Sequence, residues 1–183
     1  MSTRGEKIAQ DLLEERFGVN LMNIKESENK TPDFFIYKNG KRVAVCEVKD
    51  LEYVEPSPKT GWKRKKENYF WTRPDNTPLK VRKKIYEAQK QLKNFNLPKI
   101  LIFVGFKGDH IDLLQAIRGY AIYSDSDGNK TNLYDGREDT SKRIRPIINN
   151  INLYIWINPR KQDAFFIPEN QLKRNLFIKT LEV

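Results

Sequence analysis

Two carboxylates and a lysine lie at the ends of two segments predicted to pair as strands. Asp33 opens the first segment, and Glu47 and Lys49 mark the end of the return segment. An Asn-Gly pair at 39–40 predicts a hairpin between the two segments. Side chains two residues apart on a strand share one face, so Glu47 and Lys49 point the same way. The hairpin can therefore bring all three side chains together.

These residue types predict a particular chemistry. Converging carboxylates repel each other unless a cation lies between them, and a hard divalent ion such as Mg²⁺ is the usual one. That ion can polarise a phosphate oxygen and lower the pKa of a bound water. A neighbouring lysine can orient or deprotonate the water, or neutralise charge that develops on the phosphate. Asp33, Glu47 and Lys49 are therefore candidate catalytic residues for phosphodiester hydrolysis. The alternative is a surface aspartate and an unrelated Glu–Lys pair.

The length of the hairpin connection decides whether Asp33 joins the other two side chains. A two-residue turn with no bulge places Asp33 opposite Cys46, on the wrong face. A three-residue loop with a bulge places it opposite Val45 or Glu47, on the right face, and Gly40 can supply the left-handed residue that such a loop needs. The candidate site therefore predicts an odd-length or bulged connection.

The segments Pro32-Asp33 and Glu47-Val48-Lys49 resemble the signature of the PD-(D/E)xK nuclease superfamily. The order of predicted elements over residues 5–104 also resembles the core of that superfamily. The resemblance implies a restriction-endonuclease-like or Holliday-junction-resolvase-like fold. It also implies that Asp33, Glu47 and the carbonyl of Val48 bind Mg²⁺, with Mn²⁺ as a substitute. Lys49 would then assist the attacking water.

The same resemblance implies contributions from two helices. An acidic residue on the first helix often completes the site, and Glu6 is the best match. Weaker candidates on that helix are Glu14 and Glu15. On the second long helix an exonuclease-like branch carries a Gln followed four residues later by a Tyr. Gln91 matches the Gln, but Phe95 stands where the Tyr is expected. Other candidates on this helix are Gln89 and Lys84, which flank its apolar stripe.

Hydrophobic periodicity predicts the elements that must position these residues. The predicted helices are 5–17, 79–95 and 111–117, and the predicted strands are 19–24, 33–37, 43–48, 100–104, 152–157 and 164–167. The order αβββαβ indicates an α/β class, with a central mixed sheet flanked by helices. Residues 124–139 are expected to form a polar loop. One domain is expected over residues 1–183, with a core at 5–104 and a C-terminal extension at 105–183.

A basic and aromatic segment lies between Asp50 and Pro78, where the apolar residues follow neither a helical nor a strand period. Cations bind phosphates, and aromatic faces stack on unpaired bases, so this segment is expected to form one wall of a DNA channel. The expected nucleic-acid-binding residues are Trp62, Lys63, Arg64, Lys65, Lys66 and Arg73, with Lys84 extending the surface along the helix. The alternative is that the aromatic rings belong to the core and the charges to a solvated face.

The composition limits the function classes. The 183 residues carry a formal net charge of +10, for which nucleic acid is the commonest acidic partner and a membrane surface the second candidate. A basic, well-solvated surface is the remaining reading of this charge. One cysteine excludes an intramolecular disulfide, and with one histidine in the chain a Ser-His triad or a His-rich metal site would have to be built around His110. Cys46 and Trp156 are expected in the core, and His110 in a structural or surface role. No membrane span or signal peptide is visible, so a cytoplasmic protein with no membrane partner is expected.

The residues and the resemblance together predict a Mg²⁺-dependent endonuclease acting on DNA, of restriction, branch-resolving or repair type. Three alternatives remain open: a non-catalytic DNA-binding relative, an RNA-cleaving nuclease, and a basic structural or interaction protein. A homodimer follows only by analogy with enzymes that cut both strands.

Overall fold

The computed structural model describes residues 3–25, 31–51, 63–64, 71–72, 77–105, 110–118, 120–124, 130–134, 150–161 and 163–168. The helices are α1 (Arg4–Phe17), α2 (Thr77–Leu92) and α3 (His110–Arg118). The strands are β1 (Asn20–Asn23), β2 (Phe34–Lys38), β3 (Lys41–Leu51), β4 (Lys63–Arg64), β5 (Trp71–Thr72), β6 (Lys99–Gly105), β7 (Tyr120–Ser124), β8 (Lys130–Tyr134), β9 (Leu153–Asn158) and β10 (Asp163–Pro168).

A six-stranded mixed sheet in the order β1-β2-β3-β6-β9-β10 forms the centre of the fold. Its β3-β6 and β6-β9 pairs are parallel and the other pairs are antiparallel. The predicted order αβββαβ and the α/β class are confirmed by the elements up to β6, between which only the short β4-β5 pair is added. The segment expected as a C-terminal extension supplies β9 and β10 to this same sheet.

Helices cover both faces of the sheet. The α1 residues Ala9 and Leu13 are buried in one cluster with Cys46 and Val48 of β3. On the other face, buried residues of α2 and α3 pack against Val45 of β3 and against residues of β6 and β9. The apolar run of β3 is therefore covered on both sides, as its composition predicts.

The ends of α1 follow from local sequence. Thr3 is the N-cap, and its hydroxyl accepts a hydrogen bond from the N–H of Glu6 at 3.3 Å. Gly18 ends the helix in the left-handed conformation with φ 57°. These two residues place the first turn of α1, and Glu6 with it, at a fixed point beside the sheet.

Some predicted loops contain strands. The predicted polar loop 124–139 was wrong in part, because residues 130–134 form β8, which pairs with β7. Likewise β4 and β5 pair within the segment that shows no period. The late hairpin around Pro159 is confirmed, and Asn158 holds its turn by accepting the N–H of Arg160 at 3.1 Å. Cys46 and Trp156 are buried as expected.

The connection between β2 and β3 contains the predicted irregularity. The turn itself has two residues, Asn39 with φ 50° and Gly40 with φ 73°, the left-handed pair that a type I′ hairpin uses. Tyr37 pairs with Arg42, whereas Ile36 pairs with Ala44, so Val43 is an extra residue in β3. The prediction of a bulged connection is confirmed.

The hairpin gives a testable prediction at Gly40. A Cβ at this position would meet nothing within 4 Å, so a substitution changes only backbone strain. We expect Gly40→Ala to lower the free energy of unfolding by about 1–2 kcal/mol, because an L-residue is disfavoured at positive φ. Gly40→Asn, which adopts this conformation more readily, is expected to lose less. Urea denaturation measures both, and equal stability of all three proteins would contradict the assignment.

Candidate active site

Asp33 directly precedes Phe34, the first residue of β2. The bulge sets the register in which Phe34 pairs with Cys46. One step further, the register places Asp33 opposite Glu47, on the face that α2 covers. The Asp33 carboxylate accepts a hydrogen bond from the backbone N–H of Val48 at 2.7 Å. At the start of β2, the Asp33 side chain thus takes the place of a backbone acceptor for the Val48 N–H.

Pro32 explains why the ladder stops at this point. Continuing the register by two residues from Phe34 would set Pro32 opposite Val48, and proline has no N–H to donate. The N–H and C=O of one strand residue point to the same edge, so the Val48 carbonyl faces the side on which Asp33 lies. Pro32 cannot donate to this carbonyl, which lies on the edge of β3 beside Asp33.

Glu47 is the buried carboxylate of the site, with 1% of its surface exposed. Its Oε1 accepts a hydrogen bond from the Nζ of Lys49, so the two side chains share a face as predicted. Its Oε2 is buried and has no hydrogen-bond partner within the part of the chain that the structure describes. A buried, unpartnered carboxylate oxygen is costly, and a bound cation would remove that cost.

Gln91 fixes Lys49 from the other side. The Gln91 side-chain oxygen accepts a hydrogen bond from Lys49 Nζ at 2.9 Å, and the Gln91 nitrogen donates to the carbonyl of Thr31 at 3.1 Å. Gln91 lies in the last turns of α2, so this pair of bonds ties that helix to the segment before Asp33. The ammonium group is held between Glu47 and Gln91, with 14% of the Lys49 side chain exposed.

Burial raises the pKa of both carboxyl groups. Burial is the largest cause for Asp33, followed by the Val48 hydrogen bond, which lowers its pKa, and the charge of Glu6, which raises it, and the net pKa is about 6. Burial and then the charge of Asp33 raise the pKa of Glu47 to about 7, against smaller lowering effects of Lys49 and Gln91. When no cation is bound, the two carboxyl groups therefore stay protonated up to a higher pH than ordinary carboxyl groups do.

The structure places Glu6 near Asp33, since its charge raises the pKa of that carboxyl. The Glu6 carboxylate also accepts a hydrogen bond from the Thr3 hydroxyl at 2.9 Å, in a capping arrangement at the start of α1. The weaker candidate Glu14 has another task, because its Oε1 accepts the N–H of Leu21 at 3.1 Å. Glu6 is thus the acidic residue of α1 that lies within electrostatic reach of the site.

The donor set fits a hard divalent ion in its chemistry. Two carboxylates and a backbone carbonyl are oxygen ligands of the kind that Mg²⁺ takes, and the unpartnered Glu47 Oε2 is the atom that such an ion would satisfy. Among the described residues, no group of three or more His, Cys, Asp or Glu side chains is arranged to hold a metal ion. Any ion at this point would therefore rest on Asp33, Glu47 and the Val48 carbonyl, with its remaining positions open to water or substrate.

The predicted nucleic-acid wall lies mostly outside the described residues. This applies to Trp62, Lys65, Lys66 and Arg73, and for Lys63 and Arg64 the structure describes only their place in β4. Lys84 lies on α2 with 42% of its side chain exposed, 3.8 Å from Glu87. Gln89 lines a cleft with Leu92, Lys93, Lys99, Asn150 and Ile151, apart from the contacts of Gln91.

Two features of the site region escaped sequence reasoning. The Thr31 carbonyl, which orients Gln91, carries no sequence signal because any residue offers a carbonyl. Arg42 lies on the exposed part of β3 and contacts two aromatic rings. Arg42 stands beside Lys41 in the hairpin, away from the longer basic run at 63–66. The pairing of Arg42 with Tyr37 in the hairpin register would have indicated it.

Comparison with known proteins adds no relative: no family model, no curated protein and no solved structure matches the chain. None of the described helices is long and apolar enough to cross a membrane.

The raised pKa of Glu47 predicts a pH-dependent stability. The folded chain holds this proton more tightly than the unfolded chain, so the free energy of unfolding falls as pH rises from about 4.5 to about 7. Glu47→Gln cannot titrate. We therefore expect the stability of this variant relative to wild type to increase across that window in metal-free buffer.

Urea denaturation at several pH values measures this difference. Glu87→Gln is the matched control, since Glu87 lies at the surface with 36% of its side chain exposed, and it should leave the pH dependence of the wild type unchanged. A stability difference between Glu47→Gln and wild type that stays constant or shrinks with rising pH would contradict the raised pKa.

Proposed function

We propose that this protein is a metal-dependent nuclease that hydrolyses phosphodiester bonds in DNA. The observation that carries the proposal is the unpartnered Oε2 of the buried Glu47, beside Asp33 and Lys49. A purely structural Glu–Lys pair would have both carboxylate oxygens satisfied or exposed to solvent. Here a buried carboxylate oxygen has no partner among the described residues, and a second carboxylate, Asp33, lies close enough for its charge to raise the pKa of Glu47.

Each group of the site has a role in such a reaction. Asp33, Glu47 and the Val48 carbonyl would hold Mg²⁺, or Mn²⁺ in its place. When bound, the ion polarises a phosphate oxygen and makes a coordinated water more acidic. Lys49 would position the attacking water, or offset charge on the phosphate, through its N–H donors. Gln91 is a positioning residue, since it acts through Lys49 and the Thr31 carbonyl.

The substrate class follows from charge and site together. The net charge of +10 favours a polyanionic partner, and the site chemistry favours a phosphodiester. The resemblance of Pro32-Asp33 and Glu47-Val48-Lys49 to the PD-(D/E)xK superfamily supports DNA as the substrate and a restriction-endonuclease-like core as the fold. Restriction, branch-resolving and repair activities all fit, and cutting of both strands would favour a homodimer.

A cleavage assay tests the proposal. Plasmid, linear duplex, single-stranded and branched DNA, and single-stranded RNA, are incubated with Mg²⁺ or Mn²⁺. We expect wild-type protein to cut DNA with metal and to stop when EDTA is added. Asp33→Asn and Lys49→Met should each lose about 100-fold or more in rate, because each removes a group that acts on the reacting phosphate or water.

Lys90→Met is the matched control for the lysine substitution, because Lys90 is exposed on α2 and adjacent in sequence to Gln91. It should retain the wild-type rate. Folded wild-type protein that cuts none of the substrates would overturn hydrolysis. In that case, retained DNA binding would support the non-catalytic DNA-binding relative. Cleavage of RNA alone would replace DNA by RNA as the substrate.

A further inference from the structure

A cation supported on aromatic rings lies on the same face of the sheet as the site. Phe35 and Tyr37 follow Asp33 at two-residue intervals along β2, so their side chains share its face. Arg42 pairs with Tyr37 across the hairpin. Its guanidinium carbon lies 3.8 Å from the centroid of the Phe35 ring and 5.6 Å from that of Tyr37. The stack is within cation–π distance of both rings.

This guanidinium is held in one orientation. Its Nε and Nη2 donate to the Tyr37 hydroxyl at 3.2 and 3.0 Å. The Phe35 ring beneath it is fixed in turn by an edge contact with Phe95, at 5.7 Å between centroids. An arginine side chain has five N–H donors, and Tyr37 takes two of them, so donors remain for an incoming acceptor. Little further ordering is needed when that acceptor binds.

The charge of Arg42 is not offset by a carboxylate in the described part of the chain. The ion pairs Lys49–Glu47 and Lys84–Glu87 do not involve Arg42. Arg42 itself is exposed. Arg42 therefore presents an ordered cation to solvent on the face of the sheet that carries Asp33, with no carboxylate partner among the described residues.

We propose that Arg42 anchors a phosphate of the substrate strand at a fixed distance from the scissile bond. The four residues from Asp33 to Tyr37 span about 13 Å at about 3.3 Å each. The anchored phosphate therefore lies a short way along the same strand from the reacting one, within about 13 Å of it. The planar fork of a guanidinium matches two phosphate oxygens. This inference rests on the proposed function, because it assumes a nucleic-acid strand in the site.

Binding measurements test the anchor in the full chain. The probes are a fluorescein-labelled duplex and a single strand, each of about 20 nucleotides, and the protein carries Asp33→Asn to prevent turnover. Fluorescence anisotropy is recorded over a series of salt concentrations. In this background we expect Arg42→Gln to weaken binding about five- to tenfold and to reduce the slope of log affinity against log salt by about 1.

Two further variants separate the anchor from net charge and from folding. Lys41→Gln removes the same charge from the neighbouring exposed position, whose side chain lies on the other face of β3, and should weaken binding less than twofold. Arg42→Lys keeps the charge and loses the planar fork, so it should keep the salt slope and lose part of the affinity. The melting temperature of Arg42→Lys shows whether this variant is folded, so the anchor can be tested with it if Arg42→Gln is unstable.

The outcomes for the anchor and for the nuclease are distinct. Equal losses in Arg42→Gln and Lys41→Gln, or an unchanged salt slope in Arg42→Gln, overturn the anchor, even where wild-type protein cuts DNA. The expected Arg42→Gln loss with no wild-type cleavage supports the phosphate contact and overturns hydrolysis. Absence of binding to either probe overturns the anchor, and wild-type cleavage is then judged separately.

Discussion

The register of β2 against β3 is the constraint on which the rest of the site depends, and it is set by the one extra residue Val43. Side chains alternate along a strand, so a shift of one residue moves every side chain of β2 to the other face. Without the extra residue, Asp33 would lie opposite Cys46, in the layer packed against α1. With it, Asp33 lies opposite Glu47. One local irregularity thus brings Glu47 and Lys49 onto the face that Asp33 shares with Phe35, Tyr37 and Arg42.

The site that results is unfavourable for the protein alone. Two carboxyl groups share a buried region, their pKa values are raised by burial, and one Glu47 oxygen has no partner among the described residues. Lys49 offsets part of this cost, and Gln91 holds Lys49 in place. The surrounding sheet supplies the stability that allows such a cluster to persist, since β3 is paired on both edges and covered on both faces. Such local cost is common where a site is organised for a ligand.

The parts of this structure that could be predicted are those with a local sequence signal. The Thr3 and Gly18 caps, the Asn-Gly turn and the apolar run of β3 each depend on residues close in sequence. The convergence of Asp33, Glu47 and Lys49 followed from strand alternation plus one requirement, the bulge. By contrast, β8 and the short β4-β5 pair show no alternation of apolar residues. Backbone hydrogen bonds can pair polar segments, so these strands leave no hydrophobic pattern in the sequence.

Tertiary contacts account for the rest. The bond from Gln91 to the Thr31 carbonyl joins residues 60 positions apart, and no spacing rule connects them. The stacking of Arg42 on Phe35 is a cross-strand contact, and it becomes visible only once the hairpin pairs Arg42 with Tyr37. The predicted basic wall, Trp62 to Arg73, stays a prediction, because most of it lies outside the described residues.

We propose that Asp33 and Glu47 form a cation site that holds protons when no ion is bound. Isothermal titration calorimetry with Mn²⁺ tests it directly, at a pH of about 6.5, between the two raised pKa values. Repeating the titration in two buffers of different ionisation enthalpy counts the protons released. We expect release of about one proton per bound ion, because the ion requires both carboxylates to be deprotonated. Binding without proton release, or no binding by folded protein, would contradict it.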